Sequence, residues 1–134
     1  MTSFQIIALY AALNLILACA LMLRVGNKRI SQKVSLGDGG DAGLMARIRA
    51  HGNYIENAPL ALIGLFALAF MNAHVIALHI FGAGFLIGRI AHAHGMDQKN
   101  ANGKGRVIGA ILTLLTLLGT ALYLLFLVFT FKSV

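Results

Sequence analysis

The sequence has 134 residues, of which 59% are hydrophobic and only 11% charged, with no tryptophan and a mean hydropathy of +0.83. That balance excludes an ordinary soluble domain and places the chain among membrane proteins. The formal charge of +7 does not indicate nucleic acid, because the basic residues are not spread over a polar face but gather in two loops between apolar blocks.

Those blocks are Phe4 to Leu23, Ala58 to Met71, Val75 to Gly88 and Val107 to Phe131. The first and last are long enough, at about 1.5 Å per residue, to cross a hydrocarbon core of about 30 Å. The middle two are too short. To span, the second must recruit the polar stretch from Arg47 to Asn57, and the third must recruit Arg89 to His94. The expected fold is therefore all-α integral membrane: a single domain over residues 1–134, forming an antiparallel up-down bundle of four transmembrane helices at about 3–25, 43–71, 74–95 and 105–131.

The first block has no positive residue before it and no small-residue cleavage pattern after it, so it is expected to remain as a helix rather than be removed as a signal peptide. Within it, Asn14 is expected to hydrogen-bond a neighbouring helix. Cys19 is the sole cysteine, which leaves no disulfide framework and no thiolate metal site. The run from Ser35 to Asp41 contains three glycines in four residues and reads as a loop, either a tight connection or a lid over a site. It lacks the Lys-Ser/Thr ending of a phosphate loop.

Asp41 is the expected N-cap of the second helix, which should run through the polar stripe, with a kink at Pro59. On that helix Arg49, Asn53 and Glu56 stand at i, i+4 and i+7, so a guanidinium, an amide and a carboxylate share one face. Leaving them against lipid would cost about 2.5 to 3.5 kcal/mol per charge, so they should face a bundle interior or a wet cavity. A minimal turn, Asn72 to His74, makes the second and third helices antiparallel neighbours.

The third helix contains Gly84-x-x-x-Gly88, a close-packing pattern, followed by Arg89 and His92. Arg89 is expected either to pair with Glu56 or to touch a ligand directly. His92 and His94 do not suggest a metal site, since residues two apart on a helix point away from one another. After a polar turn from Asp97 to Gly105, the fourth helix carries Gly109, Thr113, Thr116, Thr120 and Tyr123 as a seam of small and hydroxylated residues suited to packing.

The basic residues fix a topology. Arg24, Lys28, Arg29, Lys33, Arg47 and Arg49 lie between the first two blocks, and Arg89, Lys99, Lys104 and Arg106 between the last two, while the Met71 to His74 turn has none and the C-terminus only Lys132. Both basic loops should face the cytoplasm and both termini the outside.

The pattern Arg47-x-Arg49-x-His51-x-Asn53-x-x-Glu56-x-x-Pro59, followed by Gly88-Arg89-x-x-His92 in a chain of four apolar blocks, resembles the MAPEG superfamily, the membrane-associated proteins in eicosanoid and glutathione metabolism. The Gly37-Asp38-Gly39-Gly40 loop is similar to that of small bacterial members. This resemblance implies a homotrimer in the inner membrane, with glutathione as cosubstrate bound between subunits near the cytoplasmic side. It implies that Arg49, Asn53, Glu56, Arg89 and His92 hold glutathione, that Arg29 joins them from the first helix, and that Arg106 assists the thiol as the catalytic residue. The implied activity is conjugation of glutathione to a hydrophobic electrophile, or reduction of a lipid hydroperoxide, with the hydrophobic acceptor entering from the bilayer along a seam of the first and fourth helices. The alternative is a non-catalytic membrane scaffold that binds glutathione or lipid.

The residue types suit that ligand. Arginine forks bind carboxylates bidentately, a carboxylate holds an ammonium, and a cation favours a thiolate. Two features depart from the animal members of the family: His92 and Met96 stand where those have tyrosines, and Val107 follows Arg106 where the prostaglandin E synthase type has serine. Prostaglandin isomerisation is therefore not expected, and thiol activation falls to the arginine or to His92.

Overall fold

The computed structural model describes residues 1–96 and 103–130. These form four α-helices: α1 (Ser3–Gln32), α2 (Ala42–Phe70), α3 (Val75–Met96) and α4 (Lys104–Thr130). All four are long and apolar enough to cross a membrane. Residues 97–102 of the turn before α4, Lys99 among them, and the C-terminal positions Phe131 and Lys132 lie outside the described residues.

A reciprocal cap opens α1. The Thr2 hydroxyl accepts from the Gln5 N–H at 3.2 Å while the Gln5 side chain accepts from the Thr2 N–H at 2.8 Å, so two orphan donors of the first turn are satisfied. The helix continues past its expected end near residue 25 to Gln32. Hydropathy marks where the apolar block stops, but the arginines and lysines that follow are good helix formers and continue the hydrogen-bond ladder. It stops at Lys33, which takes a left-handed conformation (φ 54°) and returns its N–H to the Arg29 and Ile30 carbonyls. Thirty residues make a rod of about 45 Å, so its last turns extend beyond a bilayer core of about 30 Å.

The loop that follows is a tight connection. Gly37, Gly39 and Gly40 all have positive φ, the Arg29 guanidinium donates to the Gly37 carbonyl at 2.7 Å, and Asp38 accepts from the Gly40 N–H at 3.1 Å. Asp41 caps α2, as its position predicts, by accepting from the Leu44 N–H. The Leu44 N–H is the main cause that holds the Asp41 carboxyl below its ordinary value of 3.8; partial burial opposes it, and Lys28, at 3.3 Å, adds to it.

α2 passes through Pro59 without interruption. The polar residues before Pro59 therefore complete the span that its apolar block was too short to make. Asn72 (φ 55°) reverses the chain at the other end, with the Ala73 N–H returned to the Leu68 carbonyl at 2.9 Å.

α3 and α4 form the closest helix pair, and glycine is the reason. Gly95 lies against Gly105 and the Arg106 backbone, Gly109 against Gly88 and His92, and Gly84 against Thr116. The buried residues of α4 are Gly109, Thr113, Thr116 and Thr120, which make up the small seam anticipated from spacing except for Tyr123, only half-buried at its far end. Elsewhere α4 turns Leu114, Leu115, Leu118 and Leu122 outward, which suits lipid, since acyl chains are as apolar as leucine.

One apolar cluster joins Ile6, Ile7, Leu65, Leu68 and Leu78, and a second joins Leu21, Ala50, Tyr54, Ala58 and Phe85. Two polar pins register α1. The Tyr10 hydroxyl meets His79 Nδ1 at 3.0 Å, and the Tyr54 hydroxyl donates to the Asn14 backbone carbonyl at 2.7 Å. The Asn14 side chain meets the neighbouring helix only through its Oδ1, 3.4 Å from the same hydroxyl, while its amide nitrogen donates to the Tyr10 carbonyl of its own helix at 2.8 Å. Among the described residues α1 does not pack against α4.

Candidate functional site

Near the α1–α2 loop end of the bundle, α2, α3 and α4 enclose a cleft of about 300 Å³ lined by Arg49, Asn53, His92, Met96 and Arg106. Its size is at the lower edge of the range of about 300 to 1,000 Å³ common to small-ligand sites. The residues come from three helices, and each is placed by the packing just described. Contact of Gly95 with Gly105 draws the start of α4, and with it Arg106, against the end of α3. Contact of Gly109 with the His92 backbone fixes the height at which His92 enters the cleft wall. Arg49 and Asn53 are one turn apart on α2 and face the same opening.

The electrostatics favour an anion. Neither the Arg49 nor the Arg106 side chain has a hydrogen bond or ion pair among the described residues, and the cleft lining contains no carboxylate. Two guanidiniums, one from α2 and one from α4, supply forked donors for carboxylates.

A side cleft of about 150 Å³ shares Asn53 and His92 with this one and continues to Asn57, Ala110, Leu114 and Leu117. Leu114 is exposed on the outer surface of α4. The two clefts thus share a wall formed by Asn53 and His92, and the smaller one reaches an outward-facing apolar residue of α4.

Arg89 stands in the wall between the two, 2% exposed. Its Nε donates to Thr113 Oγ1 at 2.9 Å, one terminal nitrogen donates to Asn53 Oδ1, and the other reaches the Gly109 carbonyl at 3.4 Å. Thr113 in turn donates to the Gly109 carbonyl at 2.8 Å. A buried cation is thereby satisfied by three neutral acceptors on α2 and α4. Of the two roles expected of Arg89, the salt bridge with Glu56 does not form among the described residues.

The predicted site residues therefore fall into three groups. Arg49, Asn53, His92 and Arg106 share the cleft, and Arg89 braces it from behind. Glu56 is exposed and outside the cleft lining. Arg29 belongs to a separate cleft of about 460 Å³ at the end of α1, with Gly26, Ile30 and Lys33. Thr113 and Met96 complete the site in ways that sequence reading did not assign. Thr113 was visible as a member of the α4 seam, but its role as acceptor for Arg89 depends on the register of α4 against α3, for which no local signal exists.

Comparison with known proteins gives a consistent result. The profile of the MAPEG family matches residues 7–126. The chain is 34% identical over 92 residues to the inner membrane protein YecN of Escherichia coli strain K12, an alignment that covers 69% of this chain and 70% of the relative. The same identity and coverage hold for YecN of Escherichia coli O6:H1 strain CFT073.

Proposed function

The chain belongs to the MAPEG family, and from that premise we propose that it is a glutathione-dependent enzyme of the inner membrane, which joins glutathione to hydrophobic electrophiles or uses it to reduce lipid hydroperoxides. The observation that carries this reading is the pair of guanidiniums, Arg49 on α2 and Arg106 on α4, that line one cleft and have no partner among the described residues, beside a smaller cleft that reaches the exposed apolar surface of α4. Arg49 and Asn53 would hold a carboxylate, and Arg106 would favour the thiolate. A free thiol has a pKa of about 8.5, and lowering it by about two units takes about 2.7 kcal/mol of preferential thiolate stabilisation. A partly desolvated guanidinium at contact distance supplies energy of that order. In conjugation the sulfur forms a bond to the electrophilic carbon, and the displaced group, or the electron pair of an opened double bond, takes up a proton. In the peroxidase reaction two glutathiones become one disulfide as the hydroperoxide becomes an alcohol and water.

A homotrimer with up-down subunits accounts for the two groups left outside the cleft. Arg29 from the end of α1 of a neighbour would complete the donor set, and Glu56 would meet the ligand ammonium where two copies adjoin. The acceptor seam of α1 with α4 fits the same assembly, because those helices do not pack together within one subunit. Both basic loops would face the cytoplasm.

A second reading rests on the lack of a hydroxyl side chain among the described residues that line the cleft: a membrane scaffold that binds glutathione without ionising it. One titration separates the two. Purified protein in detergent is mixed with glutathione and thiolate formation is followed by ultraviolet difference absorbance, then turnover of a generic electrophile is measured. The enzyme reading expects a thiolate signal that disappears in Arg106→Ala. Binding by calorimetry with no thiolate signal supports the scaffold, and no binding refutes both.

A further inference from the structure

The amide of Asn53 has a determined orientation, and the cause lies outside the cleft. A guanidinium can only donate, so the Asn53 atom that meets Arg89 must be the oxygen. Its nitrogen is then turned the other way. That nitrogen makes no hydrogen bond, yet no buried side-chain nitrogen or oxygen among the described residues lacks a partner, so it opens onto the clefts that Asn53 lines. Arg89 itself is held in place by Thr113 and the Gly109 carbonyl, both on α4. In the main cleft, Arg49, Arg106 and the Asn53 amide therefore all present N–H donors, and among the described side chains that line it His92 is the only strong acceptor.

We infer that Arg89 and Thr113 are a positioning pair that locks Asn53 as a donor, so that the cleft selects the carboxylate or carbonyl end of its ligand and excludes the ammonium end. This rests on the glutathione reading only for the identity of the ligand; the selection follows from the amide orientation together with the two guanidiniums of the same lining. Three of the five Arg89 N–H donors are directed at protein acceptors, and Arg89 lines the side cleft but not the main one, so towards the main cleft it acts through Asn53. The ammonium of a zwitterionic ligand must then lie outside this cleft, on the side where Glu56 is exposed.

The test uses the full chain in detergent with isotope-labelled asparagine side chains, and two small probes of opposite character: glutarate, which offers only acceptors, and cadaverine, which offers only donors. Glutarate is expected to shift the Asn53 side-chain amide resonance and cadaverine to leave it unmoved. Thr113→Val removes the acceptor for Arg89 Nε and is expected to weaken glutarate binding about tenfold, with Thr113→Ser restoring it. Asn53→Asp keeps a partner for Arg89, which preserves the fold, but replaces the cleft donor with an acceptor; glutarate affinity should fall tenfold or more. Preference for cadaverine, no response to either probe, or wild-type glutarate binding in Asn53→Asp overturns the inference. S-hexylglutathione is titrated in parallel. If glutarate binds as described and S-hexylglutathione does not, the glutathione reading fails and the donor lock stands.

Discussion

Gly109→Ala and Gly26→Ala add the same methyl group to two helices, and the structure assigns them opposite signs. At Gly109 the new carbon would fall within 2.5 Å of the Gly88 carbonyl oxygen and closer still to the His92 backbone nitrogen. Backbone cannot rotate away as a flexible side chain can, so α4 must move off α3. Overpacking of this kind costs about 1 to 3 kcal/mol, against which the gain in helix propensity from glycine to alanine is about 0.5 to 1 kcal/mol. The separation would also stretch the 3.4 Å contact between Arg89 and the Gly109 carbonyl. The expected net result is a loss of about 1 to 2 kcal/mol. Gly26 is also helical but nothing lies within 4 Å of its would-be methyl, so the propensity gain stands alone and the variant should be about 0.5 to 1 kcal/mol more stable. Both are measured by titrating detergent-solubilised protein with a denaturing surfactant and following helicity. Equal effects at the two sites, or a stabilised Gly109→Ala, would refute the claim that the α3–α4 contact is set by backbone approach at glycine.

Tyr54→Phe removes the hydroxyl that donates to the Asn14 carbonyl at 2.7 Å; a loss of about 0.6 kcal/mol, and under about 2, is expected in the same unfolding assay, as for other interhelical hydrogen bonds in membranes. The lowered pKa of Asp41 means that the unfolded chain binds a proton there more readily than the folded one. Its stabilising effect is therefore complete above the ordinary value of 3.8 and is lost as pH falls through the lower folded value, so the stability difference between wild type and Asp41→Asn should shrink on acidification below pH about 4. Because Lys28 and Asp41 are partly exposed, the part of that difference due to their pairing should also weaken with added salt. Glu56→Gln should weaken glutathione binding in the assembled oligomer, and crosslinking followed by electrophoresis should give a three-subunit band; a monomer that binds with full affinity would argue against a site completed by a neighbour.

Four helices in a membrane follow from the sequence because burying backbone in lipid leaves few options, and hydropathy reports the segments that can take them. The cap at Asp41, most of the α4 seam and the shared face of Arg49 and Asn53 were legible for the same local reason: spacing along a helix determines which side chains share a face. The end of α1 was not, since polar residues that leave the membrane can remain helical. Nor was the fate of the ionic stripe. Periodicity put Glu56 on the face of Arg49, but only the packed bundle decided that Arg49 would line a cleft while Glu56 stayed exposed. The partner of Arg89 is the clearest case. Sequence offered a carboxylate or a ligand, and the fold supplied an amide, a hydroxyl and a carbonyl, because the close approach of α3 to α4 brings Thr113 and Gly109 to its guanidinium. Spacing fixes neighbours along one helix; which atoms meet across two depends on their separation and register, and those are set by side chains far apart in the chain.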